Sequence, residues 1–263
     1  MKIHFFNEKS KFLKPSGSIE YSLEECDTIF FDSSTAYEIQ HKEIQDNIYL
    51  ISAFGKKGYI FLISDNSDEY EIPENIIFFR TSGFRSKLKA NEQILPYIWE
   101  QFECPFIALP RSDIPKIGFC GMINQWRFEL LNTLHMDPRF YCKFIINRNF
   151  WGGCPHHPEL VSQFRENIKE THFTICNRGA GNFTMRLYQT MNSGRIPIFV
   201  DTDMKLPFED KIPWDSLVVR DPTIEGLVQK VIKVYLEDIE ERQKRCYDTF
   251  NRWFRNTDNW LFE

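Results

Sequence analysis

The sequence predicts an α/β protein built from two units, each with a sheet flanked by helices. In the second half of the chain, apolar runs of strand length alternate with stretches of helical spacing, an order typical of right-handed β-α-β units and a parallel sheet. The first half also carries several short apolar runs. Between the halves, residues 107–115 hold two prolines among polar residues, which indicates a linker. We therefore expect one unit over residues 1–112 and another over 113–263.

The individual elements follow from the same patterns. For the first half we predict strands near 2–6, 27–31, 47–52, 58–63, 76–80 and 105–109, and helices at 35–44 and 89–100. For the second half we predict strands at 116–120, 141–146, 172–176, 196–200 and 217–219, and helices at 125–134, 158–169 and 182–193. Asp221 and Pro222 are typical of the cap and first position of a further helix, and 240–254 forms the last one.

The composition excludes several classes of protein. The chain has 263 residues, 26% of them charged, and a net charge of −5, with Lys and Arg scattered among acids, so the basic surface of a nucleic-acid-binding protein is missing. No apolar run approaches the roughly 18 residues that span a bilayer, and the N-terminal segment lacks the apolar region of a signal peptide. We expect a cytoplasmic protein with no nucleic-acid partner and no membrane span.

Cysteine usage indicates a reduced protein without a metal cofactor. The seven cysteines are odd in number, widely spaced and without a C-x-x-C pair. Cys154, His156 and His157 are the closest approach to a metal cluster, but a zinc site needs about four ligands and no second pair lies at a suitable spacing. We interpret this segment as a loop with a buried cysteine.

Residues 172–203 carry the strongest functional pattern. They read as a buried strand, a turn with Gly179 and Gly181, a helix from about Asn182, and a second buried strand. Glycines at such a turn let the backbone approach a ligand, and the free N–H groups at a helix N-terminus favour phosphate. The spacing matches neither a dinucleotide-binding fingerprint nor a P-loop, which argues against a dehydrogenase and against a P-loop NTPase.

Two arginines accompany this turn. Arg178 stands beside the glycines, and Arg186 follows Asn182 by one helical turn, so the two guanidinium groups form a candidate diphosphate clamp. The pattern alone is equally compatible with a tight turn that has both arginines on the surface, because Gly-x-Gly is a weak signal.

The order of motifs in this region resembles the exostosin-type glycosyltransferases. The quoted residues are Cys176-Asn177-Arg178-Gly179-Ala180-Gly181, then Arg186-Leu187-Tyr188-Gln189, then Gly194-Arg195-Ile196-Pro197-Ile198, and further on LPFEDKIPWDSLVV at 206–219. The resemblance covers about residues 116–220. It implies a GT-B arrangement of two Rossmann-like domains, and inverting, metal-independent transfer from a UDP-sugar to a glycan acceptor with no other cofactor. The anchorless chain is closer to the exostosin-domain enzymes of chlorella viruses, including xylosyltransferases, than to members with a transmembrane stem.

The resemblance also implies a set of donor-binding residues. These are Arg178, Gly179, Ala180, Gly181, Asn182, Arg186 and Gln189. Gln189 departs from the family pattern, which has Glu; an amide can still accept a hydrogen bond from the donor, but without charge assistance. Asp201 and Asp203 would suit a divalent ion on a diphosphate. Because the arginines already offset the phosphate charge, we interpret them as solvated acids at a strand end, with donor contact as the alternative.

Inverting transfer needs a base that removes the proton of the acceptor hydroxyl, and we expect it in the first half of the chain. Asp65 and Asp32 each follow an apolar strand. Asp65 is our first candidate because its position resembles that of an acidic residue in the family, and Asp32 is the second. Either could instead cap a loop. Further residues could line the acceptor side or carry surface charge: Arg80, Ser82 and Arg85. His156 and His157 are weaker candidates because they lie in the donor half.

A second hypothesis keeps the fold but not the catalysis. Gln189 and the short N-terminal half are compatible with a module that binds a nucleotide-sugar or a glycan without turnover. An assay for UDP release separates this module from an enzyme.

Overall fold

The computed structural model describes residues 2–5, 18–32, 41–97, 105–154 and 156–255. They form two parallel sheets with helices, and residues of both halves line a cleft between the two units. The predicted α/β class, with two sheet-containing units on either side of a cleft, is confirmed.

The N-terminal sheet has the strand order β2-β1-β3-β4-β5-β6, and every pairing is parallel. Its elements are β1 (Lys2–Phe5), β2 (Ile19–Glu20), β3 (Thr28–Asp32), α1 (His41–Ala53), β4 (Lys57–Leu62), β5 (Ile76–Arg80) and β6 (Glu92–Ile94). Helix α1 buries Ile44, Ile48 and Ile51. These three residues recur at helical spacing, so they place one apolar face of α1 against the sheet.

The C-terminal sheet has the order β11-β10-β9-β7-β8, also entirely parallel among its described pairs. Its strands are β7 (Lys116–Met122), β8 (Tyr141–Asn147), β9 (Phe173–Ile175), β10 (Ile196–Val200) and β11 (Val219–Asp221). Its helices are α2 (Gln125–Met136), α3 (Pro158–Lys169), α4 (Arg186–Asn192), α5 (Ile224–Glu237) and α6 (Ile239–Trp253). Among the described helices, none is long and apolar enough to cross a membrane.

The strand order reverses between β7 and β9. The chain leaves β7 for β8 on one side of the sheet, whereas it leaves β9 for β10 on the other side. Strands β7 and β9 pair only at Ile117 with Phe173 and at Gly118 with Thr174, and beyond this point they separate. In open α/β sheets such a switch point leaves a crevice at the carboxyl ends of the strands, and ligands bind there.

Several predictions for the first half are wrong. Residues 47–52 belong to helix α1, because Ile48 and Ile51 lie on its buried face with Ile44, although the short apolar run reads locally as a strand. Residues 89–97 contain strand β6 instead of a helix, and 105–109 are irregular. Residue 6 of the first predicted strand, 35–40 of the first predicted helix and 98–100 of the second lie outside the described residues.

The second half matches the predicted order of elements, with differences at their ends. The cap of α5 is Thr223, whose hydroxyl accepts a hydrogen bond from the N–H of Gly226 at 3.1 Å. Asp221 instead accepts from the backbone N–H of Thr223 at 2.9 Å, so it supports the turn that leads to the cap.

The segment 105–112 packs on the C-terminal unit. Arg195 donates hydrogen bonds to the carbonyl oxygens of Ile107, at 3.0 Å, and of Lys169, at 2.7 and 3.0 Å. Gln243 bonds both the N–H and the carbonyl of Leu109, at 2.8 and 2.9 Å. The boundary at 112/113 stays a prediction, and these contacts associate the residues just before it with the second unit.

His172 joins the same segment to the start of β7. Its Nδ1 accepts a hydrogen bond from the N–H of Lys116 at 3.0 Å, so Nε2 must carry the proton that is donated to the carbonyl of Pro110, also at 3.0 Å. The side chain is buried, and burial lowers the pKa of His172 below its usual value. A proton on Nδ1 would face the Lys116 N–H group, so the fold requires neutral His172.

We predict a stability loss in mild acid that depends on His172. Because the pKa of His172 is lower in the folded state than in the unfolded chain, stability is complete above about pH 6.5 and falls as the pH drops below that value. Urea unfolding from pH 7.5 to 5 should show a smaller pH slope for His172→Gln than for the wild type. The exposed His135 supplies the control: His135→Gln should keep the wild-type slope, and an equal slope in all three proteins would contradict the prediction.

Candidate functional site

A cavity of about 140 Å³ lies at the switch point of the C-terminal sheet, and we call it the inner cavity. It is bounded by the carboxyl ends of β7 and β8, by α3 and by the start of α4. Its lining residues are Cys120, Gly121, Met122, Arg127, Asn147, Phe150, Cys154, Leu160, Val161, Phe164, Thr184, Met185, Arg186 and Gln189. Two are cationic, none of these described residues is acidic, and one wall is apolar.

Arg186 crosses the gap between the separating strands. Its guanidinium donates to the carbonyl oxygen of Ile175 at 3.2 Å and to that of Cys120 at 2.8 Å, and it lies over the ring of Phe119, 4.6 Å from the centroid. The Nε atom is buried and has no hydrogen-bond partner among the described residues. Burial lowers the pKa of Arg186. The side chain thus keeps its charge in a place where the described structure supplies carbonyl groups but no carboxylate.

Arg127, in the first turn of α2, brings a second guanidinium to the inner cavity. It donates to the carbonyl oxygen of Met122 at 2.8 Å and to that of Asn177 at 3.5 Å, and its Nε atom is also buried without a partner among the described residues. Burial, together with the positive charge of Arg186, lowers the pKa of Arg127 to about 9. Two neighbouring cations without an acidic partner are unfavourable alone and favour a bound anion.

Sequence reasoning missed Arg127 and Gly121. No glycine-rich motif lies beside Arg127. Its position in the first helical turn after a parallel strand could have identified it, because ligand-binding residues often lie at the carboxyl ends of such strands. Gly121 has φ +152°, and a Cβ atom there would lie 2.7 Å from Nη2 of Arg186. A glycine is therefore needed at the end of β7 for the Arg186 side chain to pass.

The glycine-containing turn is longer than predicted. Helix α4 begins at Arg186 instead of Asn182, because residues 177–185 form an irregular loop. Gly179 is half-buried and Ala180 is exposed, whereas Gly181 packs against the N-terminal unit: a Cβ atom on it would lie 2.5 Å from the carbonyl oxygen of Asp65. Gly181 is thus required by contact between the two units, and its predicted contact with a donor stays a prediction.

Asn182 is buried in the same contact. Its backbone N–H donates to Ser82 Oγ at 2.7 Å, and its side-chain amide donates to the carbonyl oxygen of Gly83 at 3.1 Å. In this arrangement Asn182 holds the loop against the first unit and is not among the residues that line the inner cavity. Gln189, by contrast, is buried and does line that cavity.

Arg178 lies in a second, more open space between the units, which we call the outer cleft. This cleft measures about 510 Å³ and is lined by Asp65, Asn66, Ser67, Asp68, Glu69, Phe84, Lys87, Arg178 and Ala180. The Arg178 guanidinium lies 5.0 Å from the ring centroid of Trp126 and 5.6 Å from that of Phe84, and burial lowers its pKa. Arg178 and Arg186 therefore line different spaces, and Arg127 is the arginine that shares the inner cavity with Arg186.

The structure separates the two candidate bases. Asp65 lines the outer cleft opposite Arg178, and its backbone touches the turn at Gly181. Asp32 ends β3, where it is in register with Phe61, and it is not among the residues that line the outer cleft. Tyr97 lies near Asp65: burial raises the pKa of Tyr97, and the negative charge of Asp65 raises it further.

The residues considered for an acceptor wall have other partners. Arg80 is buried and forms an ion pair with Glu92 at 2.9 Å, so it is neither an acceptor contact nor surface charge. Ser82 is buried against Asn182. Arg85 donates to the carbonyl oxygen of Met204 in the second unit at 2.6 Å.

Asp201 and Asp203 help to join the units, which corrects their interpretation as solvated acids. Asp203 accepts hydrogen bonds from the N–H of Ser86 at 3.0 Å and from its hydroxyl at 2.5 Å, and these contacts lower the pKa of Asp203 against the opposing effect of burial. Asp201 accepts from the N–H of Met204 at 3.0 Å and lies 3.6 Å from Arg85. We call the contacts of Arg85 and Ser86 with residues 201–209 the latch.

The segment with the two neighbouring histidines forms no metal centre within the described structure. His156 and His157 are exposed, and Cys154 is exposed instead of buried as expected. Among the described residues, no group of three or more His, Cys, Asp and Glu side chains could hold a metal ion.

The Exostosin GT47 domain family matches residues 123–228. The match covers less than half of the chain, and it includes Arg127, the glycine-containing turn, Arg186 and Gln189. It supports an exostosin-type glycosyltransferase and agrees with the resemblance seen in the motifs.

Curated relatives are similar over parts of the same region. A "probable glucuronosyltransferase" of Oryza sativa subsp. japonica is 28% identical over 88 residues, which are 33% of this chain and 20% of the relative. The "probable beta-1,4-xylosyltransferase IRX10L" of Arabidopsis thaliana is 31% identical over 61 residues, 23% of this chain and 15% of the relative. An exostosin-1 homolog of Caenorhabditis elegans is 20% identical over 146 residues, 54% of this chain and 34% of the relative. The chain thus spans between 15% and 34% of the length of these relatives.

Two solved structures overlap with most of the chain. TarM covers 86% of it, with 52% of TarM matched, at a TM-score of 0.46 and 8% identity. An alpha-glucosyltransferase in complex with UDP-glucose and DNA containing an abasic site covers 89%, with 81% of that chain matched, at a TM-score of 0.40 and 10% identity. Scores below 0.5 do not establish a common fold, so the architecture rests on the strand order and the cleft described above.

Proposed function

We propose that this protein is an inverting glycosyltransferase that moves a sugar from a UDP-sugar to a glycan acceptor. The observation that carries the proposal is the pair Arg127 and Arg186. They place two partly desolvated positive charges at the switch point of a sheet whose sequence matches the Exostosin GT47 domain.

The charge of the inner cavity supports a nucleoside diphosphate as ligand. A sugar-linked diphosphate carries two negative charges, which equals the two guanidinium groups that face the cavity without an acidic partner among its lining residues. Each guanidinium retains a buried Nε–H group, without a partner among the described residues, that could donate a hydrogen bond to a phosphate oxygen. The apolar side chains of Phe150, Leu160 and Phe164 offer a surface for a nucleobase.

The sugar and the acceptor would then meet in the outer cleft. Arg178, which lines the outer cleft, would stabilise the charge that develops on the leaving diphosphate. Asp65 faces the same cleft from the other unit and would remove the proton of the acceptor hydroxyl as that oxygen attacks C1 of the sugar. Gly179, Ala180 and Gln189 would complete the donor site.

The finer features of the proposal come mainly from the resemblance and stay predictions. Xylose is the proposed sugar, and a viral enzyme acting in the host cytoplasm is the proposed setting. The relatives that are named include both xylosyl- and glucuronosyltransferases. The outer cleft carries the acids Asp65, Asp68 and Glu69 against Arg178 and Lys87, which favours an uncharged sugar such as xylose over a uronate.

We predict that Arg127, in the inner cavity, and Arg178, in the outer cleft, both contribute to UDP binding. Removing a charge-assisted hydrogen bond costs about 1.5–3 kcal/mol, so Arg127→Leu and Arg178→Ala should each raise the Kd for UDP by roughly 10- to 150-fold in calorimetry. Arg127→Leu should also leave the ligand-free protein as stable as the wild type or more stable, since it removes a charge without an acidic partner.

Arg139 supplies the matched control for UDP binding. It lies just before β8, at the amino ends of the strands, so Arg139→Ala should keep wild-type affinity. Wild-type affinity in folded Arg127→Leu and Arg178→Ala would place the diphosphate elsewhere.

We predict that Asp65 is the base. Asp65→Asn keeps the shape but removes the basicity, so UDP release from a UDP-sugar in the presence of acceptor should slow by roughly 10²- to 10⁴-fold while UDP affinity is unchanged. Asp32→Asn should have much less effect, because Asp32 does not line the outer cleft. A large loss confined to Asp32→Asn would transfer the role to Asp32. UDP binding without turnover of UDP-xylose, UDP-glucose or UDP-glucuronate by the wild type would instead indicate a binding module.

We predict that transfer does not need a metal ion. The guanidinium groups supply positive charge at the phosphates, and Asp201 and Asp203 have partners in the latch. Sugar transfer should therefore persist in excess EDTA. Complete loss that Mg²⁺ or Mn²⁺ restores would show that a cation is required.

A further inference from the structure

Asn182 connects the two units through its backbone N–H and its amide nitrogen, and its amide oxygen holds Thr202 within its own unit. Its backbone N–H donates to Ser82 Oγ at 2.7 Å and to Ser67 Oγ at 3.2 Å. Its amide nitrogen donates to the carbonyl oxygens of Gly83 at 3.1 Å and Thr202 at 3.2 Å, and its amide oxygen accepts from the Thr202 hydroxyl at 2.6 Å. Asn182 is 1% exposed and Ser82 is fully buried. We call these five residues the pin.

The chemistry of the pin specifies an amide at position 182. One atom must accept from a hydroxyl while its neighbour donates to two carbonyl oxygens, and only Asn or Gln offers both functions on one short group. A carboxylate would place a second oxygen against the carbonyls of Gly83 and Thr202, and an aliphatic residue would remove the partner of both carbonyls and of the Thr202 hydroxyl. The pin is therefore a specific junction and not a general packing contact.

Two contacts connect the pin with Asp65. Ser67 lies two residues after Asp65, and its hydroxyl is 2.5 Å from that of Ser82. Gly181, next to Asn182, packs so closely that an added Cβ would lie 2.5 Å from the carbonyl oxygen and 2.9 Å from the Cα of Asp65. The backbone of Asp65 is thus in direct contact with the turn that carries Arg178 and Gly179.

The opposite side of the same segment is held within the first unit. Thr81 Oγ1 accepts from the N–H of Ser64 at 3.1 Å and donates to its carbonyl oxygen at 2.8 Å, and Arg80 donates to the carbonyl oxygen of Asn66 at 3.0 Å. These bonds orient residues 64–66 on the N-terminal sheet. They do not determine the distance from Asp65 to the second unit, which is the distance that transfer depends on.

We propose that Ser82, Asn182 and Gly181 are positioning residues that hold Asp65 at the distance from the donor turn that proton removal requires. The inference rests on the proposed function, because it assigns the effect of the pin to Asp65 as base. A misplacement of about 1 Å costs up to roughly 100-fold in rate. Loss of the pin should therefore lower kcat and leave UDP affinity unchanged, because neither Arg127 nor Arg178 donates a hydrogen bond to a residue of the pin.

The latch provides a matched control, because it also joins the units. Ser86 donates its hydroxyl to Asp203 across the same interface, but its hydrogen bonds lead to the 201–209 segment and not to Asp65. Ser86→Ala removes one hydrogen bond between the units, as Ser82→Ala does. If joining the units were the whole effect, the two substitutions would act alike.

The decisive experiment measures Ser82→Ala in the wild type and in Asp65→Asn. With UDP-xylose, UDP-glucose and UDP-glucuronate as donors and xylo-oligosaccharides as acceptor, UDP release by Ser82→Ala should fall at least about tenfold in kcat in the wild-type background. The same substitution should change the residual rate of Asp65→Asn by less than about twofold, because the residue it positions is already inactive. Ser86→Ala should keep wild-type kcat, and UDP affinity should stay within about twofold throughout.

Gly181→Ala is a second variant that acts by displacement instead of bond loss. Its methyl group must push the Asp65 backbone away, so it should show the same loss in kcat and the same lack of effect in the Asp65→Asn background. Equal losses in both backgrounds, or a parallel loss of UDP affinity, would overturn the positioning role. A wild type that turns over none of the three donors would refute the proposed function itself. The outcomes that overturn the positioning role differ from this one, because in them the wild type is active.

Discussion

The passage of Arg186 between strands β7 and β9 is the constraint on which the C-terminal unit depends. Beyond Gly118 and Thr174 the two strands no longer pair. The carbonyl groups of Cys120 and Ile175 therefore have no hydrogen-bond partner across this pair of strands. Arg186 donates to both carbonyls and closes the gap. The absence of a side chain at residue 121 follows from the space that this one guanidinium occupies.

That structural role leaves an electrostatic problem, which a ligand would solve. The carbonyl oxygens satisfy part of the Arg186 guanidinium but do not neutralise its charge, and Arg127 adds a second charge in the same cavity. Buried charges without partners are unfavourable in a folded protein unless a bound group compensates them. These charges are the basis on which we propose a sugar-linked nucleoside diphosphate, a dianion, as the ligand of the inner cavity.

The two units are joined by two sets of contacts that have different consequences. The latch uses acids that would otherwise have been candidates for binding a metal, and it ties the loop after β5 to the loop after β10. The pin uses neutral groups and lies directly behind Asp65. The pin, unlike the latch, therefore acts directly on the distance between Asp65 and the turn that carries Arg178.

The sequence by itself determined the α/β class, the order of elements in the second half and the segment that carries the site. Those features depend on local patterns: buried parallel strands are continuous apolar runs, and helices such as α5 bury residues at helical spacing. In the first half the same approach was wrong at 47–52, where a short apolar run is compatible with either a strand or one face of α1.

Only the tertiary structure decided which charged groups share a space. Arg178 and Arg186 are close in sequence but line different cavities, while Arg127 and Arg186 are far apart in sequence and share one. Asp201 and Asp203 are two residues apart in sequence, and both contact side chains of the other unit, Arg85 and Ser86. The physical reason is that a local pattern predicts which backbone element a residue occupies, whereas the partner of a charge depends on which strands and loops the whole fold brings within a few ångströms.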